Sequence, residues 1–63
     1  MKVRDIIRKL EEDGWRFHSQ AGSHRQFTHP TKRGRVTVPG KPGDDLSRIL
    51  LNSIIKQAQI KRK

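Results

Sequence analysis

His24 is the residue of this chain whose type and setting best suit chemistry. It lies in the segment Gly22-Ser23-His24-Arg25-Gln26-Phe27, where a glycine turn leads into a predicted strand. An imidazole changes its protonation state near neutral pH, so it can remove or donate a proton. Beside cations, such a group suits RNA cleavage, in which the 2′-hydroxyl attacks the adjacent phosphorus and the 5′-oxygen leaves. We interpret His24 as a general base or acid, against the alternative of a structural strand histidine.

The charge of the chain predicts an anionic partner. Its 63 residues include 15 Lys and Arg against 6 Asp and Glu, a net charge of +9. Between Trp15 and Lys41 there are basic residues and no acidic ones. A surface of this kind binds nucleic acid, an acidic protein or a membrane surface. The simpler alternative is a solvated basic surface that aids solubility.

Length and composition narrow the class of protein. A chain of 63 residues forms at most one small domain, here residues 1–63, with a limited core. It contains no cysteine, and the spacing of its three histidines matches no common metal motif. No apolar run is long enough for a membrane span or a signal peptide. We expect a cytoplasmic protein that uses no metal and no cofactor.

Apolar periodicity predicts a helix at each end of the chain. The first is predicted over residues 3–13 and ends at Gly14. Its apolar stripe consists of Val3, Ile6, Ile7 and Leu10. The last helix follows the loop 39–45, with Asp44, Asp45 or Ser47 as its N-cap. Its apolar stripe consists of Leu51, Ile54, Ile55 and Ala58, which Leu46 and Ile49 or Leu50 could extend by one turn. The chain end, residues 59–63, is expected to fray.

Three strands are predicted between the helices, at residues 15–20, 24–29 and 35–38. A two-residue loop at Gly22-Ser23 would place the aromatic rings of Phe17 and Phe27 on opposite faces. A three-residue loop that also includes Ala21 pairs Phe17 with Phe27, and it is the register we prefer. That register also pairs Gln20 with His24 and His18 with Gln26. Trp15, Val36 and Val38 then join the apolar face.

The predicted fold is α+β, with the order α-β-β-β-α and both helices on the apolar face of a three-stranded antiparallel sheet. The opposite face is polar and basic, and it carries Arg16, His18, Gln20, His24, Gln26, Thr28, Arg35 and Thr37. The predicted RNA contacts on or near this face are Arg16, His18, Gln20, Ser23, Gln26, Lys32, Arg33 and Arg35. His18 is diagonal to His24 in this register, which leaves open a second proton-transfer role. His29 is interpreted as structural, close to Trp15.

Several segments together resemble one family. They are Glu12-Asp13-Gly14-Trp15, Gly22-Ser23-His24-Arg25-Gln26-Phe27, His29-Pro30, Gly34-Arg35-Val36-Thr37-Val38-Pro39 and Ser53-Ile54-Ile55-Lys56-Gln57-Ala58. In this order they resemble the HicA toxins of type II toxin–antitoxin pairs. The resemblance implies a double-stranded-RNA-binding-domain-like fold and a toxin that cleaves mRNA and arrests translation. It also implies a HicB antitoxin as partner and places the functional histidine at His24.

Two stretches of the last helix depart from the family pattern. Family members often carry Gly-Thr-Leu where this chain has Ile49-Leu50-Leu51, and a glycine where it has Gln59. Both positions lie away from His24, so they bear on packing or antitoxin contacts more than on chemistry.

Three functions remain to be distinguished. The first is a metal-independent endoribonuclease that acts on mRNA. The second is a module of the same fold that holds RNA without cutting it, because a fold alone does not determine activity. The third is a basic partner of an acidic protein, which would show no salt-sensitive affinity for RNA.

Overall fold

The computed structural model describes residues 1–60 and contains five elements in the predicted order. They are α1 (Val3–Glu12), β1 (Arg16–Ala21), β2 (His24–Thr28), β3 (Val36–Val38) and α2 (Arg48–Gln57). The strands form an antiparallel sheet in the order β1-β2-β3. The predicted α-β-β-β-α arrangement is therefore confirmed. Residues 61–63 of the expected frayed tail lie outside the described residues.

Helix α1 ends where the glycine predicts. The backbone N–H of Gly14 donates to the Glu11 carbonyl at 3.0 Å, and that of Trp15 donates to the Leu10 carbonyl at 2.9 Å. This pair of bonds is a Schellman motif, which needs a left-handed residue just beyond the helix. Gly14 supplies it with φ +101°. A Cβ at this position would lie 2.8 Å from His29 Nε2, so the site also lacks room for a side chain.

Helix α2 begins at a serine cap, one of the three predicted. The Ser47 hydroxyl accepts a hydrogen bond from the Leu50 N–H at 3.2 Å. The preceding loop is tied to the N-terminus of the chain, since the Val3 N–H donates to the Asp44 carbonyl and the Leu46 N–H to the Met1 carbonyl, both at 2.9 Å. Neither helix among residues 1–60 has the length and apolarity to span a membrane.

The register of the β1–β2 hairpin corrects the sequence-based one. Phe17 pairs with Phe27 as predicted, but His24 pairs with Ala21 and Gln26 with Ser19. The predicted Gln20–His24 and His18–Gln26 pairs are wrong. The turn is the two-residue Gly22-Ser23, and the strands return to the predicted register through an extra residue in β1, His18. Gly22 has φ +59°, as the first residue of a two-residue type II′ turn requires.

One apolar core joins both helices to one face of the sheet. It consists of Val3, Ile6, Leu10, Trp15, Phe27, Val36, Val38, Ile54 and Ala58. The strands contribute to it only from β2 and β3, and every residue of β1 is exposed. Phe17 was expected in this core. Its ring meets that of Phe27 edge to face at 6.1 Å, yet its side chain is 56% exposed because it lies on an edge strand outside the core.

Candidate functional site on the open face of the sheet

The sheet has one face opposite the core, which we call the open face. The strand pairings place on it Arg16, Ser19, Ala21, His24, Gln26, Thr28 and Thr37. All of these residues are exposed or half-buried, since both helices pack on the other side. The three strands contain no acidic residue, so the backbone of this face carries cationic and neutral polar side chains.

His24 is the first residue of β2, directly after the Gly22-Ser23 turn. Its side chain is exposed. It makes no side-chain hydrogen bond or ion pair with any other residue among 1–60. Both nitrogens of the ring can therefore meet a ligand from solvent. The ring is not part of the hydrophobic core. This environment disfavours the alternative that His24 is a structural strand histidine.

A guanidinium is held at the centre of the open face. Arg35 Nη1 donates to Gln26 Oε1 at 3.1 Å. Gln26 is half-buried between Ser19 on β1 and Thr37 on β3, so its amide is a fixed acceptor. The contact places the charge of Arg35 two residues along the strand from His24. A guanidinium stays charged at any relevant pH and presents several donors to a phosphate.

The bulge residue His18 brings a second imidazole into contact with this face. His18 Nδ1 lies 3.1 Å from Ser19 Oγ. Neighbouring side chains of a regular strand point to opposite faces, so this contact depends on the extra residue. Ser19 lies opposite Gln26, which assigns both side chains to the open face. Ser19 was not among the predicted site residues, because strict alternation places it on the other side.

Three further predicted contacts are exposed to solvent. Arg16 pairs with Thr28 and lies on the open face at the far end of β1 from the turn. Ser23 lies in the turn beside His24. Arg33 lies in the loop that links β2 to β3, where its carbonyl accepts a hydrogen bond from the Gln59 amide at 3.1 Å.

Two predicted RNA contacts are engaged within the protein. Gln20 pairs with Arg25, which assigns it to the opposite face, and its amide donates to the Gly22 carbonyl at 2.8 Å. Lys32 Nζ donates to Asp13 Oδ2 at the end of α1 and to the Ala58 and Gln59 carbonyls at the end of α2, at 3.3 and 3.2 Å. These contacts favour structural roles: Gln20 braces the turn and Lys32 joins the two helix ends.

His29 has the structural environment that its position indicates. Its ring meets the Trp15 indole edge to face, with centroids 5.2 Å apart. Nε2 lies 2.7 Å from the Asp13 carbonyl, to which it donates, and Nδ1 accepts from the N–H groups of Thr31 and Lys32, both at 3.1 Å. In this set of partners Nε2 is the donor and Nδ1 the acceptor. His29 is thus occupied on both nitrogens, whereas His24 is not.

The described residues 1–60 contain no group of three His, Asp or Glu side chains placed to hold a metal ion.

Comparison with models of protein families gives a match for this chain. No curated protein matches the chain. The family model described as HicA toxin of bacterial toxin–antitoxin matches residues 3–60, which include both helices and the whole sheet. A match over nearly the full 63 residues takes in every residue of the open face. The chain therefore belongs to the HicA toxin family of bacterial toxin–antitoxin systems.

Proposed function

We propose that this toxin is an endoribonuclease that cleaves mRNA, with His24 as a proton-transfer group on the open face, and that it acts in the cytoplasm to stop translation. The observation that supports this most strongly is the environment of His24. Its ring is exposed, makes no hydrogen bond within residues 1–60 and lies on a face without carboxylates. An unengaged imidazole on a cationic surface is the arrangement that metal-independent RNA cleavage requires.

The proposed reaction is an internal displacement at phosphorus. A base removes the proton of the ribose 2′-hydroxyl as O2′ forms a bond to phosphorus. The bond from phosphorus to O5′ breaks, and an acid protonates the leaving oxygen. The products are a 2′,3′-cyclic phosphate and a 5′-hydroxyl. His24 performs one of the two proton transfers, which contributes roughly 10²- to 10⁴-fold to the rate.

Cations on the same face would stabilise the charged phosphorus centre and position the chain of phosphates. Arg35, held by Gln26, is the best-placed of these, and Arg16 extends the same surface along β1. Ser23 and Arg33 lie at its margins. Gln20 and Lys32 are left out of the proposed contact surface, because their polar groups are already bonded within the protein.

The His24→Ala variant tests this proposal in cells. Induced wild-type toxin should stop growth and shorten transcripts, and the variant should do neither. Because His24 is exposed and makes no hydrogen bond within residues 1–60, the variant should unfold at the same temperature as wild type. Undiminished growth arrest by a folded His24→Ala protein would contradict the proposal. RNA binding without cleavage by the wild-type protein would support the non-catalytic binding module instead.

The partner of this toxin is proposed to be a HicB-type antitoxin that covers the open face. A surface with Arg16 and Arg35 and no carboxylate on its strands favours an acidic partner. Binding there would keep RNA from His24 by occlusion. A structure of the complex tests this, and a fully solvent-exposed His24 in that complex would contradict occlusion.

A further inference from the structure

The bulge in β1 is the one feature of the open face that the role of His24 does not explain. A two-residue turn at Gly22-Ser23 continued regularly would pair His18 with Phe27 and place its ring among the apolar residues. Instead His18 is an extra residue between Phe17 and Ser19, opposite no residue of β2. Bulges often re-aim a side chain next to a functional site. Here the extra residue carries an imidazole that contacts Ser19, a residue of the face that carries His24.

The contact with Ser19 orients this second imidazole. The ring bonds through Nδ1 to the Ser19 hydroxyl at 3.1 Å, so Nε2 is the nitrogen that remains for a ligand. A hydroxyl can donate to the neutral ring and accept from the charged one, which holds the ring in both protonation states. Ser19 therefore fixes the orientation of the His18 ring through Nδ1 and leaves Nε2 for a ligand.

The strand pairing relates His24 to Ser19, the residue that contacts His18. Ser19 lies opposite Gln26, and His24 is two residues from Gln26 on the same strand. Ser19 and His24 are therefore diagonal neighbours, and such pairs are about 7–8 Å apart. Each imidazole must approach its oxygen to roughly 2.6–3.2 Å, from opposite sides of the phosphorus. The His18 ring adjoins this pair through its contact with Ser19, so a phosphate would lie between His24 and the ring that Ser19 holds.

We propose that His18 is the general acid of the cleavage reaction and that His24 is its general base, with Ser19 as the residue that positions His18. The proposal rests on the proposed endoribonuclease function. His24 takes the proton from O2′ as the bond from O2′ to phosphorus forms. His18 gives its proton to O5′ as the bond from phosphorus to O5′ breaks. Solvent then returns each ring to its starting protonation state, so no further reactant is needed.

The pH dependence of kcat/KM separates the two roles. With a short RNA substrate, the wild-type profile should be bell-shaped, since the base must be neutral and the acid charged. His18→Gln should lower kcat/KM by roughly 10²-fold or more and remove the alkaline limb, while the affinity for RNA changes little. His24→Gln should remove the acidic limb. An unchanged rate and profile for His18→Gln would overturn the proposal.

A substrate with sulfur in place of O5′ at the cleavage site provides the sharper test. Its thiolate leaves without protonation, so it should restore most of the rate of His18→Gln and none of the rate of His24→Gln. An equal loss in both variants on this substrate would overturn the assignment of His18 as the acid. Ser19→Ala should weaken the alkaline limb of the pH profile of kcat/KM. Ser19→Thr keeps the hydroxyl and should restore this limb. Failure of Ser19→Thr to do so would overturn the positioning role.

The same variants distinguish failure of this inference from failure of the proposed function. If His24→Gln is inactive while His18→Gln retains the full rate and both limbs, only the role of His18 is wrong. If wild type does not cleave RNA, or if His24→Gln cleaves as well as wild type, both proposals are wrong. The four substitutions fall on three exposed residues, so matched unfolding temperatures should confirm that the variants are folded.

Discussion

At the scale of single residues, the three histidines of the chain have three different environments. His29 is bonded through both nitrogens and its ring meets that of Trp15 edge to face, so it is part of the structure. His18 is bonded through one nitrogen to Ser19, and His24 through neither within the described chain. The number of occupied nitrogens, rather than the residue type, thus separates the candidates for proton transfer from the structural ring.

Lys32 provides a residue-scale test of which cations are structural. Its ammonium bonds to Asp13 and to two carbonyls at the end of α2, and its side chain is 26% exposed. Lys32→Ala removes these bonds, and the two carbonyls at the end of α2 lose a hydrogen-bond donor. We expect a loss of about 1–2 kcal/mol in the free energy of unfolding, measured by urea denaturation. Arg33→Ala, one residue away and exposed, is the matched control and should change it by less than about 0.5 kcal/mol.

The RNA affinity of the same two variants also tests whether Lys32 has a structural role. Lys32→Ala should bind RNA as wild type does under conditions where it is folded. A weaker affinity with unchanged stability would show that Lys32 is an RNA contact, as the sequence alone predicts.

At the scale of elements, the two helices end in the same motif with different residues at its critical position. Gly14 follows α1 with φ +101°, and Gln59 follows α2 with φ +56°. At the second site, the Gln59 N–H donates to the Lys56 carbonyl at 3.1 Å and the Ile60 N–H to the Ile55 carbonyl at 3.2 Å. Gln59 is the position where the family pattern has glycine. A left-handed conformation costs a residue with a side chain about 1–2 kcal/mol.

Comparing two variants of Gln59 isolates this backbone cost. Both Gln59→Ala and Gln59→Gly remove the hydrogen bond from the side-chain amide to the Arg33 carbonyl. Only glycine relieves the strain of the left-handed backbone conformation. Gln59→Gly should therefore be more stable than Gln59→Ala by about 1 kcal/mol, measured by thermal unfolding. Equal stabilities would mean that the end of α2 carries no strain in solution.

The helices could be predicted from the sequence because their apolar periodicity and end signals are local. Val3, Ile6 and Leu10 are buried as predicted, and Gly14 ends α1. The hairpin could be predicted only in part, because a bulge has no such local signal. The Phe17–Phe27 pair follows from aromatic matching, whereas the shift at His18 depends on the turn and the core together. The bonds of Lys32 join segments far apart in sequence, so periodicity could not reveal them.

The start of α2 shows another limit of the same kind. Apolar content allowed Ile49 or Leu50 to extend the buried stripe. Ile49 is 81% exposed and Leu50 43%, while Ile54 and Ala58 are buried. Both residues lie in the first turn of α2, and neither belongs to the apolar core. These two residues are also where the chain departs from the family pattern.

At the scale of the whole molecule, the acidic residues lie outside the strands of the sheet. The acidic residues lie in α1, at its end and in the loop before α2: they are Asp5, Glu11, Glu12, Asp13, Asp44 and Asp45. Two of them are paired, Asp13 with Lys32 and Asp45 with Lys2. The strands have none. An RNA chain approaching the open face would meet arginines on the sheet without a carboxylate among them.

The salt dependence of RNA affinity measures this surface. Three phosphate contacts, from Arg16, Arg33 and Arg35, should give a slope of about −2 for log K against log salt, since each contact to a single strand contributes about −0.7. Arg16→Gln and Arg35→Gln should each make the slope shallower by about 0.7. Arg48→Gln, an exposed arginine on α2, is the control and should leave it unchanged. A flat slope for wild type would favour a toxin that binds only an acidic protein.

Cleavage of one defined RNA by purified toxin is the most direct measurement of the role of His24. Wild-type protein and His24→Gln are compared in single-turnover reactions at equal, saturating protein, with the fraction of RNA bound measured alongside. Wild type should yield a 5′-hydroxyl and a 2′,3′-cyclic phosphate, and an RNA with a 2′-deoxy residue at the cleavage site should stay intact. His24→Gln should bind as much RNA and cleave it at least about 10²-fold more slowly. Equal cleavage rates for the two proteins would contradict the role assigned to His24.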